Sequence, residues 1–145
     1  MGAYEAVVKT MDDGSVGASG PVTVQLRNAR TGQRQQFSMD AFTGGHLLHL
    51  AVAGCVYNDL FREALARGIV LTHVEVRADG GFTGNPCSST GISYTIHLAG
   101  DAPQTDLEDL VAHVERIAEV PSAIRMGGEV HLTSQTVLTD PHQTA

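Results

Sequence analysis

A single cysteine, Cys55, lies well inside the apolar stretch GGHLLHLAVAGCVYNDLFREALARG, which has the character of one long helix. An ionised thiol is a nucleophile and a metal ligand, whereas a neutral buried thiol behaves as a small apolar side chain. The flanking residues 51–53 are Ala, Val and Ala, which favours a place in a core. From the residues alone, both interpretations of Cys55 stay open: a reactive thiol and a core residue.

A reactive Cys55 would need positive charge nearby, because the thiolate is the nucleophilic form. The start of the helix lies more than two turns away, where the effect of the helix dipole has faded. Arg62 follows seven residues later on the same helix face, and its side chain could lean back toward Cys55. Asp59 lies between them and would compete for the guanidinium, so we expect Asp59 and Arg62 to pair at a surface or a subunit interface.

Two histidines, His46 and His49, lie three residues apart and so share a face of this helix. With a carboxylate or with Cys55 they could form a metal site, but Cys55 lies six residues beyond His49 and well round the helix. We therefore predict no bound metal and no cofactor, and interpret the pair as hydrogen-bonding residues at a helix start. His46 is also a candidate base for the Cys55 thiol, provided that the fold brings the two together.

The second cysteine, Cys87, follows Pro86 in the turn cluster GNPCSSTG, which predicts an exposed loop thiol. A disulfide between Cys87 and Cys55 would require their Cα atoms to approach within about 7 Å. The chain has no CxxC spacing, so a structural zinc site is not expected. A reducing cytosol would keep both thiols free.

Composition excludes several classes of protein. The 145 residues are 42 % hydrophobic and 17 % charged, as in an ordinary globular chain, and predict one domain over 1–145. A net charge of -7 with only nine Lys and Arg argues against nucleic-acid binding, which needs clustered cations. Because no apolar run could span a bilayer and the N-terminus has no signal-peptide core, we expect a soluble, cytoplasmic protein without a membrane partner.

Periodicity predicts the elements that would position these residues. Three alternating runs before the helix suit an antiparallel meander of strands: YEAVVKT, PVTVQLRNA and RQQFSMDAF. Thr43 is a suitable N-cap and Gly68 a suitable residue after the C-terminus, which predicts a helix from about His46 to Arg67.

Beyond the helix, IVLTHVEVRADGGF and ISYTIHLAG predict a β-hairpin with a long loop. TDLEDLVAHVERIAEV predicts a second helix with Thr105 as its N-cap, and VPSAIR a turn or short helix. GEVHLTSQTVL predicts a final strand. The order βββ-α-ββ-α-β is that of an α+β protein, since strands and helices do not alternate one for one.

This order, together with the segments LLHLAVAGC, ALARGI and HVEVRADGG, resembles the OsmC/Ohr family of osmotically induced and organic-hydroperoxide-resistance proteins. The likeness extends more loosely to PSAIRMGGEVHLT near the C-terminus. It implies an intertwined homodimer in which a long central helix packs against antiparallel sheets. Active members are thiol peroxidases: a helix cysteine attacks the peroxide and a second cysteine resolves the product. A glutamate before the helix and an arginine from an N-terminal loop hold the thiolate.

The sequence keeps one of these four groups. Cys55 matches the helix cysteine, but EVPSAIR has Glu119 or Val120 where the second cysteine is expected. Gly45 replaces the acid, with His46 beside it, and the loop KTMDDGSVG carries acids in place of an arginine. We therefore expect a homodimeric OsmC-like relative of thiol-dependent hydroperoxide reductases that is one-cysteine or inactive, with Cys55 and His46 as candidate catalytic residues.

An alternative of a different class is a non-enzymatic protein on the same fold that binds an apolar small molecule. In that case a pocket between the central helix and the sheets would have His46 and His49 at its mouth. The two hypotheses predict different partners, an organic hydroperoxide in the first and an apolar ligand in the second.

Overall fold

A computed structural model of the chain describes residues 2–139, and its central element is the helix α1, Gly44–Ala66. Thr43 caps its start from an extended backbone, and the Thr43 hydroxyl accepts a hydrogen bond from the His46 N–H. Beyond its end, Gly68 has a φ of 67°, the left-handed conformation that glycine tolerates best. Both predicted helix ends are therefore confirmed to within two residues.

The three alternating runs before α1 form one antiparallel sheet in the order β1-β2-β3. Its strands are β1 (Tyr4–Lys9), β2 (Val22–Asn28) and β3 (Arg34–Met39). Val24 lies opposite Val8 of β1 and Phe37 of β3, and it is buried on the apolar face. The predicted meander is confirmed.

A second antiparallel sheet is the hairpin of β4 (Val70–Thr83) and β5 (Ser88–Asp101). Alternate residues of both strands pack against the buried core, as period-2 patterning requires: Val74, Val76, Ile96 and Leu98. Residues 84–87 alone connect the strands, so the predicted long loop is wrong. The Ser and Thr residues at 88–90 extend β5 because they pair in register with the end of β4.

Two further helices, α2 (Gln104–Ile117) and α3 (Glu119–Arg125), pack against α1. The most buried side chains join these helices: Val56, Leu60 and Ala64 of α1 with Leu110, Val114 and Ala118. Pro103, and not Thr105 as predicted, caps α2, because its carbonyl accepts from the Asp106 and Leu107 N–H groups. None of the helices within 2–139 has the length and apolarity to cross a membrane.

The predicted final strand, GEVHLTSQTVL, is wrong for the described chain. Residues 128–139 have no regular structure, and neither sheet includes them. A strand forms only where a neighbouring strand supplies its hydrogen bonds, and no described strand is aligned with this segment. Its apolar side chains stay exposed: Val130, Leu132, Val137 and Leu138. Residues 140–145, for which we expect no regular structure, lie outside the described range.

Candidate functional site

Cys55 lies on the flank of α1, half-buried, and packs against the core shared by α1 and α2. Its Sγ accepts a hydrogen bond from the backbone N–H of Val120 at 3.5 Å. Val120 belongs to the short helix α3, 65 residues further along the chain. The thiol therefore lies where α1 and α3 meet, between a core and a backbone donor.

This contact brings the first turn of α3, which contains both Glu119 and Val120, to the thiol. The sequence left Glu119 and Val120 as alternatives for the missing second cysteine, and the structure places the Val120 amide against Cys55 Sγ. α3 carries no thiol of its own. Cys87 lies in the turn at the tip of the hairpin, free and exposed as predicted, and Cys55 is also free.

The cation closest in sequence to Cys55 is engaged elsewhere. The Arg62 Nη1 binds the Asp59 Oδ1 at 2.5 Å, as the sequence predicted. Asp59 is 4 % exposed, whereas the Arg62 side chain is 66 % exposed. The guanidinium thus lies between a buried carboxylate and solvent, and its positive charge is used mainly to offset that carboxylate.

The other candidate catalytic residue, His46, lies at the exposed start of α1. Its Nδ1 is 3.2 Å from the Thr43 Oγ1, inside the helix cap. Cys55 follows His46 by nine positions in α1, which is about 13.5 Å along the axis and half a turn around it. One chain therefore does not bring these two candidates together.

His49 points from α1 toward the hairpin instead. Its Nδ1 donates to the Gly45 carbonyl oxygen, and the Phe82 ring lies nearly perpendicular to the imidazole at a centroid distance of 6.4 Å. Its Nε2 is buried and has no hydrogen-bond partner within the described chain. Unpaired buried polar atoms are uncommon in folded proteins, and the Tyr94 hydroxyl is a second one in the described chain.

A cleft of about 350 Å³ opens between the start of α1 and the end of β4. It is lined by Thr43, Gly45, His46, His49 and residues 78–82. A Cβ on Gly80 would lie 2.7 Å from the His49 Nε2 and 2.3 Å from the Gly91 carbonyl oxygen, so this wall requires glycine. In the sequence, the Gly80-Gly81 pair inside a strand pattern is the signal of this close approach.

This cleft is where the predicted pocket mouth would be, since both histidines line it. Its lining is mixed rather than apolar, because backbone and imidazole groups lie beside Phe82 and Ala78. Within residues 2–139 no three His, Cys, Asp or Glu side chains are grouped so that they could hold a metal ion.

Comparison with known proteins gives one matching family model, that of the OsmC-like proteins, over residues 37–133. No curated protein matches the sequence. Among solved structures, an OsmC-like protein from Mycoplasma pneumoniae is 13 % identical with a TM-score of 0.60, over 84 % of this chain and 86 % of that one.

Two more solved structures show the same fold. A hypothetical protein from Aquifex aeolicus is 12 % identical with a TM-score of 0.60, over 88 % of this chain and 90 % of that one. A Psychrobacter arcticus protein, described provisionally as an osmotic stress induced and detoxification response protein, is 11 % identical with a TM-score of 0.56, over 85 % and 88 %. These likenesses extend beyond the matched residues 37–133 to most of the α+β architecture.

Proposed function

We propose, since this chain belongs to the OsmC-like protein family, that it reduces organic hydroperoxides with Cys55 as its single reactive cysteine and an external thiol as reductant. The observation that carries the proposal is the position of Cys55, whose Sγ lies beside the Val120 N–H. Val120 lies on α3, the segment in which the family resemblance leads us to expect a second cysteine. A backbone donor beside sulfur stabilises negative charge there. The detoxification named for the Psychrobacter arcticus protein agrees in kind with this activity.

The proposed reaction is that of a peroxidase whose only reactive thiolate is Cys55. The sulfur attacks one peroxide oxygen, so an S–O bond forms, the O–O bond breaks and the alkoxide leaves as an alcohol after taking a proton. Sulfur is oxidised by two electrons to sulfenic acid and the peroxide is reduced. Because α3 offers Val120 in place of a thiol, an external thiol attacks the sulfenic acid and expels water. A second external thiol then releases Cys55 and leaves the reductant as a disulfide.

Steady-state reduction of cumene hydroperoxide with dithiothreitol or a dihydrolipoyl-type thiol tests this proposal. We expect turnover by the unmodified chain, loss of turnover in Cys55→Ser, and full turnover in the matched control Cys87→Ser, because Cys87 is exposed at the distant turn. Equal rates for the unmodified chain and Cys55→Ser would overturn the assignment. Cys55 would then take no part in any turnover observed, and no turnover by the unmodified chain would show that the protein is inactive toward this hydroperoxide.

The second candidate function, binding of an apolar small molecule, draws on the cleft beside His46 and His49 and on the Phe82 ring at its wall. Thermal unfolding of Cys55→Ser with a panel of hydrophobic ligands separates the two functions, since this variant has no peroxidase thiol. A rise in the unfolding midpoint with one ligand supports binding. No rise with any ligand, together with fast alkylation of Cys55 in the unmodified chain, supports the enzyme.

We also propose that the chain acts as a homodimer. One stripe of α1 exposes large apolar side chains at helical spacing: Leu50, Tyr57, Phe61 and Leu65. The segment 128–139 likewise leaves apolar side chains uncovered in a single chain. A second copy would cover both. Light scattering at micromolar concentration should give twice the mass of one chain. Leu65→Asp should lower the measured mass toward that of one chain. A monomeric mass for the unmodified chain would contradict the dimer.

A further inference from the structure

One row of side chains on the sheet β1-β2-β3 brings two arginines face to face. Glu5, Arg27 and Arg34 lie directly opposite one another on the three strands. Next to this row, the Asn28 N–H bonds to the Gln33 carbonyl oxygen at 2.9 Å. Arg27 and Arg34 are therefore the following, non-hydrogen-bonded pair of the ladder. In such a pair the Cα atoms are about 4.5 Å apart, and both side chains leave the same face of the sheet.

The positive charge of this row exceeds the negative charge that the described chain supplies to it. The Glu5 Oε1 lies 3.5 Å from the Arg27 Nε. The Arg34 side chain is exposed, and among residues 2–139 its guanidinium has no ion pair or hydrogen bond. Like charges that lie directly opposite each other destabilise a sheet. A bound anion would offset this repulsion and would give the Arg34 guanidinium an acceptor.

A cleft of about 330 Å³ lies over this row and the adjacent one. Its lining includes the charged row and two glutamines of the adjacent row: Glu5, Arg27, Arg34, Gln25 and Gln36. The Gln25 Nε2 donates to the Gln36 Oε1 at 2.8 Å, which leaves the Gln36 amide nitrogen without an acceptor in the part of the chain described. The cleft therefore offers two guanidiniums and an amide as donors, against a single carboxylate, and its volume suits a small molecule.

We propose that this cleft binds the phosphate group of a small molecule, with Arg34 as its principal contact and Arg27 beside it. Guanidinium groups bind phosphate through paired N–H donors, and the oxygens of a tetrahedral phosphate can accept from two guanidiniums at once. The net charge of the chain is -7, which repels an extended polyanion such as a membrane surface or a nucleic acid. A small anion instead responds to the charges within a Debye length, which in this cleft are mainly positive.

This site lies outside the proposed peroxidase chemistry, because neither Cys55 nor Val120 lines the cleft. Calorimetric titration of the full chain with inorganic phosphate at neutral pH tests it. We expect saturable binding that is weaker by roughly tenfold or more in Arg34→Gln, since that variant loses a charged hydrogen-bonding group. The matched control Arg116→Gln removes an exposed arginine of α2 and should bind like the unmodified chain. Cys55→Ser should also bind normally, whatever its peroxidase activity.

Two further measurements separate the site from the fold. Glu5→Gln removes the carboxylate that competes for Arg27, so phosphate should bind more tightly to this variant than to the unmodified chain. Arg34→Gln removes the like-charge repulsion, so without phosphate its unfolding midpoint should be no lower than that of the unmodified chain.

The proposal would be overturned by unchanged phosphate affinity in Arg34→Gln or by weaker binding in Glu5→Gln. An equal heat from sodium chloride at the same ionic strength would also overturn it, because the effect would then be general screening of charge. Vesicles that contain phosphatidic acid distinguish a lipid headgroup from a free phosphate. Binding to these vesicles without binding of inorganic phosphate would contradict the assignment to a small molecule.

Discussion

Val120→Cys should give this chain the resolving thiol that it lacks. The Cys55 Sγ lies 3.5 Å from the Val120 nitrogen, and so within about 5 Å of the Val120 Cα given an N–Cα bond of about 1.5 Å. A disulfide needs Cα atoms no more than about 7 Å apart, which this approach allows. We expect a disulfide between Cys55 and the introduced cysteine to form after one equivalent of hydroperoxide, with loss of two titratable thiols.

The size of the effect follows from the 65 residues between the two positions. In the chain-entropy description, closing a loop of this length in the unfolded state stabilises the fold by about 4 kcal/mol, and engineered bonds often deliver less. For a domain of this size each kcal/mol corresponds to roughly 3 °C, so the oxidised variant should unfold roughly 12 °C higher than its reduced form.

Thermal unfolding with and without dithiothreitol measures this shift in the Cys87→Ser background, where only Cys55 and the new cysteine can pair. The variant that also carries Cys55→Ser is the matched control and should show no redox-dependent shift. Two free thiols after oxidation of Val120→Cys would refute the reasoning, because they would show that the residue at 120 does not face the thiol of Cys55.

Two other predictions concern the hairpin. Gly80→Ala should destabilise the fold by about 1–3 kcal/mol or more, since its Cβ would lie 2.3 Å from the Gly91 carbonyl oxygen, whereas Gly81→Ala meets nothing closer than 3.6 Å. Urea unfolding of both variants checks this, and equal midpoints would contradict it. Arg77 donates a hydrogen bond to Glu75 and so holds the pKa of that carboxyl below its usual 4.5, helped by the charges of His97 and His73. Because the folded-state pKa is the lower one, this contribution to stability is present above pH 4.5 and is lost as the pH falls below it. Arg77→Ala should raise the Glu75 pKa, as read from its carboxyl carbon signal, and an unchanged titration would contradict the assignment.

Local signals in the sequence predicted the helix and strands that lie closest to Cys55. The ends of α1 depend on Thr43 and Gly68, which act within one turn, and the hairpin depends on alternation within β4 and β5. The cap of α2 was misplaced because Pro103 uses its carbonyl, which leaves no side-chain signature. The strand expected within 128–139 failed for a different reason: alternation describes a segment that can pair, but not whether a neighbour is present.

The candidate site was predictable only in its individual residues. The pairing of Asp59 with Arg62 follows from their spacing on one helix, and the exposure of Cys87 follows from its turn. The contact between Cys55 and Val120 joins positions 65 residues apart, and no local pattern determines it. The unpaired His49 Nε2 depends likewise on the meeting of α1 with Gly80, which required the packing of the hairpin against the helix.

In both sheets of the described chain, every strand pairs only with its neighbour in sequence, β1 with β2, β2 with β3 and β4 with β5. Such pairings close short loops, so their entropic cost is small and they form early and quickly. The contact of α3 with α1 closes a far longer loop, so its entropic cost is larger. The thiol environment of Cys55 should accordingly be completed late in folding, after both sheets are in place, and hydrogen exchange at the Val120 amide should become protected last.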